Sequence, residues 1–163
     1  MFNIFKKKQQ EYRMTATADG TVIPMAEAAD PVFSSCALGN GVVIRPVNGV
    51  IVAPADGKVT ATMEESNHAI GMELKGGIEI LIHIGVDTVK LKGEGFTALV
   101  QSGDEVREGT ELIRFDREAL EAKGYCMEIM QIVMDSETAS GVRYLTGMDA
   151  KAGETVIASW KSS

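Results

Sequence analysis

The chain is poor in the residues that staple, chelate or neutralise. Of its 163 residues only Cys36 and Cys126 are cysteine, and they lie 90 positions apart. That excludes a disulfide-stapled secreted scaffold and fits free thiols in a reducing compartment, where both are expected to be buried bystanders. Basic side chains are outnumbered, 16 Lys and Arg against 23 Asp and Glu, for a net charge of −7. A face built to neutralise a phosphodiester backbone is therefore excluded, and nucleic acid with it as a partner. Linkers, charge blocks and clean repeats are also missing, so residues 15–163 are expected to form a single domain, long enough to bury a core. Histidine is as scarce as cysteine, with His68 and His83 the only two.

The first eight residues pair Phe2, Ile4 and Phe5 with Lys6, Lys7 and Lys8. This stretch is too brief for a signal-peptide apolar region or a spanning helix. Two readings stay open: a frayed, solubilising tail over residues 1–14, or a tail that touches a membrane surface transiently. Either way the chain reads as a soluble cytoplasmic protein.

What the sequence does have is glycine, 17 residues scattered as punctuation among short Val- and Ile-rich runs. The pattern predicts an all-β fold, an antiparallel sandwich or barrel with one or two short helices. Strands are expected at 41–45, 50–53, 58–63, 69–74, 78–84, 111–115, 127–134 and 155–160. One helix is expected at 116–123, with Asp116 as N-cap, Glu118 in the first turn and Gly124 after the end. Pro54 and Asp56-Gly57 predict a tight reversal between two strands, and Gly103 and Gly109 bracket a second turn-rich phrase around Val106. Both phrases are similar to turns of hybrid-motif β domains such as biotinyl carriers, but no lysine sits at a hairpin tip between two methionines to take biotin.

The segment between the histidines reads as one hairpin. Alternation along 79–84 puts Ile80, Ile82 and Ile84 on the core face and Glu79, Leu81 and His83 on the other. A two-residue loop at Gly76-Gly77 makes His68 a diagonal neighbour of His83, and one at Lys75-Gly76 sets the two opposite each other. Either loop surrounds the rings with Ile70, Met72 and Leu74, whereas a three-residue loop sends the imidazoles to opposite faces. Two histidines on an apolar patch can be core residues satisfied by hydrogen bonds, or a reactive pair. In the second case one neutral imidazole is the nucleophile and the other donates to a phosphoryl oxygen, while the apolar rim lets a partner exclude water.

Ser66-Asn-His-Ala-Ile-Gly71 and Gly77-Ile-Glu-Ile-Leu-Ile-His-Ile-Gly-Val-Asp-Thr-Val-Lys-Leu-Lys-Gly-Glu-Gly-Phe96 closely resemble the glucose-type IIA component of the bacterial phosphoenolpyruvate-dependent sugar phosphotransferase system. The resemblance extends upstream through Asp30-Pro-Val-Phe33, Gly39 to Pro46 and Val52 to Gly57, and downstream from Gly103 to Asp116. It implies a β-sandwich phosphoryl carrier that takes phosphate from the histidine-containing phosphocarrier protein and gives it to a cysteine of a IIB domain. His83 matches the phosphorylated histidine and His68 the supporting one. Ser66 stands where a threonine is usual and can orient His68, and Gly85 supplies a carbonyl that fixes the ring tautomer. Asp87 and Asp30 match carboxylates facing the donor protein, and Phe33, Leu81 and Val89 match apolar rim positions. Asp87 also reads as N-cap of a turn at 88–91. No metal or cofactor is implied.

The match has departures. A Thr-Pro-Val-Val type phrase is usual after the helix, where this chain has Met127-Glu-Ile-Met130, and Ile82 and Ile84 stand where aromatics are common. Two other functions compete. A regulator that binds its targets according to phosphorylation state would use the same face, altered by about two negative charges. A zinc hydrolase on a related scaffold is suggested by the His83-x-x-x-Asp87 spacing, but no histidine follows His83 to complete three protein ligands.

Overall fold

A computed structural model describes residues 9–161 of the chain. In chain order the strands are β1 (Glu11–Thr15), β2 (Gly20–Pro24), β3 (Asn40–Pro46), β4 (Val50–Val52), β5 (Gly57–Thr62), β6 (Ala69–Leu74), β7 (Ile78–Ile84), β8 (Phe96–Ala98), β9 (Glu105–Val106), β10 (Glu111–Phe115), β11 (Ile129–Val133), β12 (Arg143–Tyr144), β13 (Asp149–Ala150) and β14 (Val156–Lys161). Two short helices, α1 (Pro31–Ser34) and α2 (Arg117–Ala122), complete the regular structure with three single 3-10 turns. The all-β sandwich expected from the glycine-punctuated runs is the fold observed.

All strand pairs are antiparallel. The large sheet runs β13-β2-β3-β11-β7-β6-β5-β9, and two three-stranded sheets run β1-β14-β12 and β4-β10-β8. The small sheets cover one face of the large one, where Ile80, Ile82 and Ile84 of β7 meet Met14, Ile51, Leu112 and Ile157 in the main core. Burial of that branched aliphatic surface is the principal driving force for the layers to close. Gln131 is fully buried among them. Its side chain accepts from the Thr17 N–H at 3.0 Å and donates to the Thr15 carbonyl at 2.9 Å, tying the β1–β2 connection to the central strand.

The opposite face of the large sheet carries a second, smaller core. Ile23, Val43, Met130 and Ile132 rise from β2, β3 and β11, and Met25 and Phe33 come down on them from the segment between β2 and β3. That segment contains α1, a helix that hydrophobic periodicity alone does not predict. Asp30 is its N-cap, accepting from the Val32 N–H at 2.8 Å, and Pro31 opens the helix. Four residues suffice because the cap, the proline and the apolar footing of Phe33 each remove part of the nucleation cost.

Several expectations need correction. Residues 11–14 of the expected tail lie in β1, paired with β14, and residues 1–8 lie outside the described residues. The Pro54 to Gly57 phrase does not join paired strands: β4 pairs with β10 while β5 pairs with β6 and β9, so the chain there crosses from one sheet to another. Neither cysteine is buried, since Cys36 is half-exposed and Cys126 exposed.

The histidine hairpin takes neither even loop. Leu74 pairs with Ile78, so Lys75, Gly76 and Gly77 form a three-residue turn, with Gly76 and Gly77 at φ 105° and 82°. Glycine supplies those left-handed angles at no steric cost, and the Trp160 indole donates to the Gly76 carbonyl at 3.0 Å. The register places Ile70, Met72 and Leu74 opposite Ile82, Ile80 and Ile78, all in the main core. They do not surround the histidines as expected. Ala69, Gly71 and Glu73 pair with His83, Leu81 and Glu79 on the other face.

Candidate active site

His83 sits on β7, which is hydrogen-bonded on both sides, with Ala69 of β6 and Met130 of β11 as its cross-strand partners. A strand ladder on each flank fixes the backbone, so the ring is held by the sheet rather than by a loop. The small Ala69 leaves room beside it, and the His68 ring fills that room edge-on, with ring centroids 4.9 Å apart and planes at 83°.

Strict alternation with this register would turn His68 away from His83. His68 escapes the rule because it precedes β6 and follows Asn67, whose backbone is left-handed at φ 50°. The turn from Met63 to Asn67 closes through the Asn67 N–H and the Met63 carbonyl, and the His68 carbonyl accepts from the Ile84 N–H at 2.8 Å. The backbone thus joins the ladder while the side chain goes to the other face. Ser66 and His68 are both buried, with Ser66 Oγ 2.6 Å from His68 Nδ1. That contact anchors one ring nitrogen and leaves Nε2 for other partners.

Phe33, carried by α1, packs on the His83 ring with centroids 4.8 Å apart and planes at 53°. Burial therefore pushes His83 down to about 4. The neighbouring His68 adds to this, while the Gly85 backbone, Asp30 and Asp87 act the other way. Burial also lowers the pKa of His68. Near neutral pH the His83 ring is uncharged, with a lone pair available for attack. Its Nδ1 is buried without a hydrogen bond of good geometry, so Nε2 is the nitrogen that reaches the surface. The Gly85 backbone lies close enough to favour a protonated ring without closing such a bond to Nδ1.

Gly85 has φ 77°, and a Cβ there would stand 2.5 Å from Thr88 Cγ2. Only glycine fits this turn off the end of β7. Thr88 is fully buried and its hydroxyl donates to the Ile84 carbonyl, while the Gly85 N–H donates to the Glu128 carbonyl at 2.8 Å. Asp87 stands at the start of the 3-10 turn Thr88–Leu91, but it is left-handed and its side chain caps nothing, so the capping role expected for it is not filled. Its carboxylate is mostly exposed, 3.9 Å from Lys90 Nζ.

The residues singled out from the sequence gather on one face to different degrees. His68, Ser66 and Phe33 adjoin His83, and Leu81 lies two residues before it on the same face of β7, paired with Gly71 and Ile132. Val89 is exposed on the turn after Asp87, and Asp30 caps the helix that brings Phe33. Sequence reasoning missed Met130, Ala69, the exposed Val32 at the start of α1, and Glu128. The Asp30-Pro31 pair was the signal for α1, since an N-cap residue followed by proline opens many helices.

His68 is buried and His83 is half-buried, so the larger part of what remains accessible belongs to the His83 ring. Among the described residues no three His, Cys, Asp or Glu side chains come together in a metal-binding group. No helix among them is long and apolar enough to cross a membrane.

Comparison with known proteins gives this face its context. Residues 12–139 match the family model for the phosphoenolpyruvate-dependent sugar phosphotransferase system, EIIA 1. The chain is 38% identical over 157 residues to the glucose-specific EIIA component of Oceanobacillus iheyensis, covering 96% of this chain and 94% of that one. It is 37% identical over 161 residues to the Haemophilus influenzae glucose-specific EIIA component, covering 99% and 96%. A beta-glucoside-specific EIIBCA component of Dickeya chrysanthemi is 44% identical over 140 residues, covering 85% of this chain but 22% of that longer protein. Among solved structures, the glucose permease IIA of Mycoplasma capricolum superposes with a TM-score of 0.79 at 33% identity, covering 92% of this chain and 96% of that one. Matched by the family model over residues 12–139 and by relatives over nearly its whole length, with the same sandwich fold, the chain belongs to the EIIA 1 family of the phosphoenolpyruvate-dependent sugar phosphotransferase system.

Proposed function

We propose that this protein is a phosphoryl carrier in which His83 accepts the phosphoryl group from a histidine-containing phosphocarrier protein and passes it to a cysteine of a IIB domain. The observation that carries the reading is the His83 ring itself: uncharged near neutral pH, fixed on a doubly paired strand and open at Nε2. The Nε2 lone pair attacks phosphorus, the donor's N–P bond breaks, and the donor imidazole leaves with that electron pair. The IIB cysteine thiolate then attacks the same phosphorus, the His83 Nε2–P bond breaks, and its electron pair returns to Nε2 of the neutral ring. Such transfers demand in-line geometry and stabilisation of the equatorial oxygens more than covalent help.

His68 supplies that stabilisation. Ser66 Oγ lies within hydrogen-bond distance of His68 Nδ1, and in the proposed mechanism the hydroxyl is the donor, which puts the ring proton on Nε2, ready for a phosphoryl oxygen on His83. Phe33, Val32 and Val89 form an apolar border that a docked partner can seal against water. Asp30 and Asp87 offer negative charge to a basic donor surface. The fused relatives, named as EIIBCA components, support a IIB domain as the acceptor.

The test follows label from radiolabelled phosphocarrier onto the protein and then onto an added IIB domain. His83→Gln should abolish uptake. His68→Gln should take up label, because an amide still donates one hydrogen bond, yet lose about 10² to 10³-fold in onward transfer. Label on His83→Gln, or uptake lost only in His68→Gln, would reverse the assignment.

A further inference from the structure

The place where this chain departs from its family's phrase after the helix carries a buried carboxylate with no part in the transfer chemistry. Glu128 immediately precedes β11, on the same face as Met130 and His83, and is 9% exposed. Its Oε1 accepts from the Ala29 N–H at 2.9 Å, and its Oε2 lies 3.4 Å from Nε of Arg45 on β3. Ala29 leads directly into Asp30, the cap of α1, and so into Phe33 against the His83 ring. From its own backbone, Glu128 accepts the Gly85 N–H at the end of β7. One residue therefore holds both the segment that covers His83 and the turn that follows it.

We infer that Glu128 is a positioning residue whose carboxylate fastens the segment 28–34 to the sheet and so sets Phe33 and Asp30 beside His83. The helix needs such an anchor. It has four residues, too few to persist alone, and its other attachment is the small satellite core. A charge-assisted hydrogen bond from a backbone N–H to a buried carboxylate is among the stronger single contacts available, and the Arg45 guanidinium compensates the charge. Without it α1 lifts from the sheet for part of the time. The docking-competent arrangement is then populated only fractionally, and apparent donor affinity falls by that fraction.

The inference rests on His83 being the phosphoryl acceptor, and its test separates the two. In unphosphorylated protein, NMR reads the nuclear Overhauser contacts between the Phe33 and His83 rings and the His83 ring-proton shifts, neither of which depends on transfer. Uptake kinetics from phosphocarrier then give KM and kcat separately. Glu128→Met fills the same volume but cannot accept a hydrogen bond, and Glu128→Gln keeps an acceptor for Ala29. Glu128→Met should lose the ring–ring contacts and raise KM about tenfold with kcat little changed. Glu128→Gln should restore both. In a Phe33→Leu background, Glu128→Met should raise KM by less than it does alone, because one of the two residues it acts through is already replaced. Ring contacts and KM unchanged in Glu128→Met would overturn the inference. So would a Gln variant as impaired as Met, or an effect that adds in full to Phe33→Leu. Absence of label on wild-type His83 would instead sink the acceptor assignment while leaving the NMR result to stand.

Discussion

Replacing Phe33 by alanine should shift the pH profile of phosphoryl uptake rather than merely lower it. His83 titrates at about 4, chiefly because burial disfavours its charged form. Phe33, itself 7% exposed and with its ring centroid 4.8 Å from that of His83, forms one wall of that burial. Truncation opens the ring to water, and its pKa rises towards the ordinary value of about 6.5. The charged groups already facing the ring act in the same direction once burial is lifted: Asp30 on the α1 side and Asp87 after β7 both favour protonation, and only His68 opposes it. At pH 5.5 the wild-type ring is almost wholly neutral, whereas a ring titrating at 6.5 is neutral in only about one molecule in ten. Uptake by the variant, expressed as a ratio to wild type, should therefore fall about tenfold further at pH 5.5 than at pH 7.5. The ratio is taken at each pH between 5 and 8 with the same phosphocarrier, so the donor's own titration cancels. Loss of docking surface multiplies every ratio by one constant and leaves the slope alone. A flat ratio, or an NMR titration of His83 still centred near 4 in the variant, would refute Phe33 as the wall that dehydrates the ring.

Two further outcomes follow from the same geometry. The depressed His83 pKa stabilises the fold above pH 6.5, and this is lost as pH falls towards 4, because the unfolded chain binds a proton there that the folded one does not; relative to His83→Gln, urea unfolding of wild type should lose about 2.5 kcal/mol between pH 7.5 and pH 4.5, and an unchanged difference would contradict the shift. Gln131→Leu removes the acceptor for the buried Thr17 N–H and should cost about 1–3 kcal/mol in urea unfolding while leaving uptake kinetics intact, since Gln131 points into the main core and away from His83; altered uptake by the folded variant would show that the two faces are coupled.

The main strands were legible because their sequences agree with their surroundings at every level. Ala69 to Leu74, Ile78 to Ile84 and Glu111 to Phe115 have the bounds read from alternation, and Asp116 caps α2 as its spacing implied. The two-residue strands β9, β12 and β13 could not be read that way. Two residues cannot display a period, and these strands exist because neighbouring segments place them at an edge. Strand β2 lies beneath the satellite core that Met25 and Phe33 complete, so its burial is settled by a segment that looked irregular. Glu128 was visible only as a missing proline. Nothing local reveals that a glutamate before a strand will find the N–H of a residue 99 positions away.

The two histidines come together although the parity rule for an ideal hairpin would separate them. Parity along an ideal hairpin makes a three-residue turn fatal to the pair, yet the turn here has three residues and the rings are 4.9 Å apart. Parity holds only while both residues lie in the ladder. His68 lies one residue outside it, after a left-handed Asn67, and Ser66 ties down its ring. The consequence bears on the chemistry. A histidine inside β6 would have its direction dictated by the sheet, whereas one held by a turn and a hydroxyl has room to adjust in the way the proposed transfer requires. As the proposed nucleophile, His83 needs the opposite arrangement, because a nucleophile that wanders loses in-line geometry. The sheet thus fixes the ring that is proposed to form the bond, and the turn carries the ring that follows the charge.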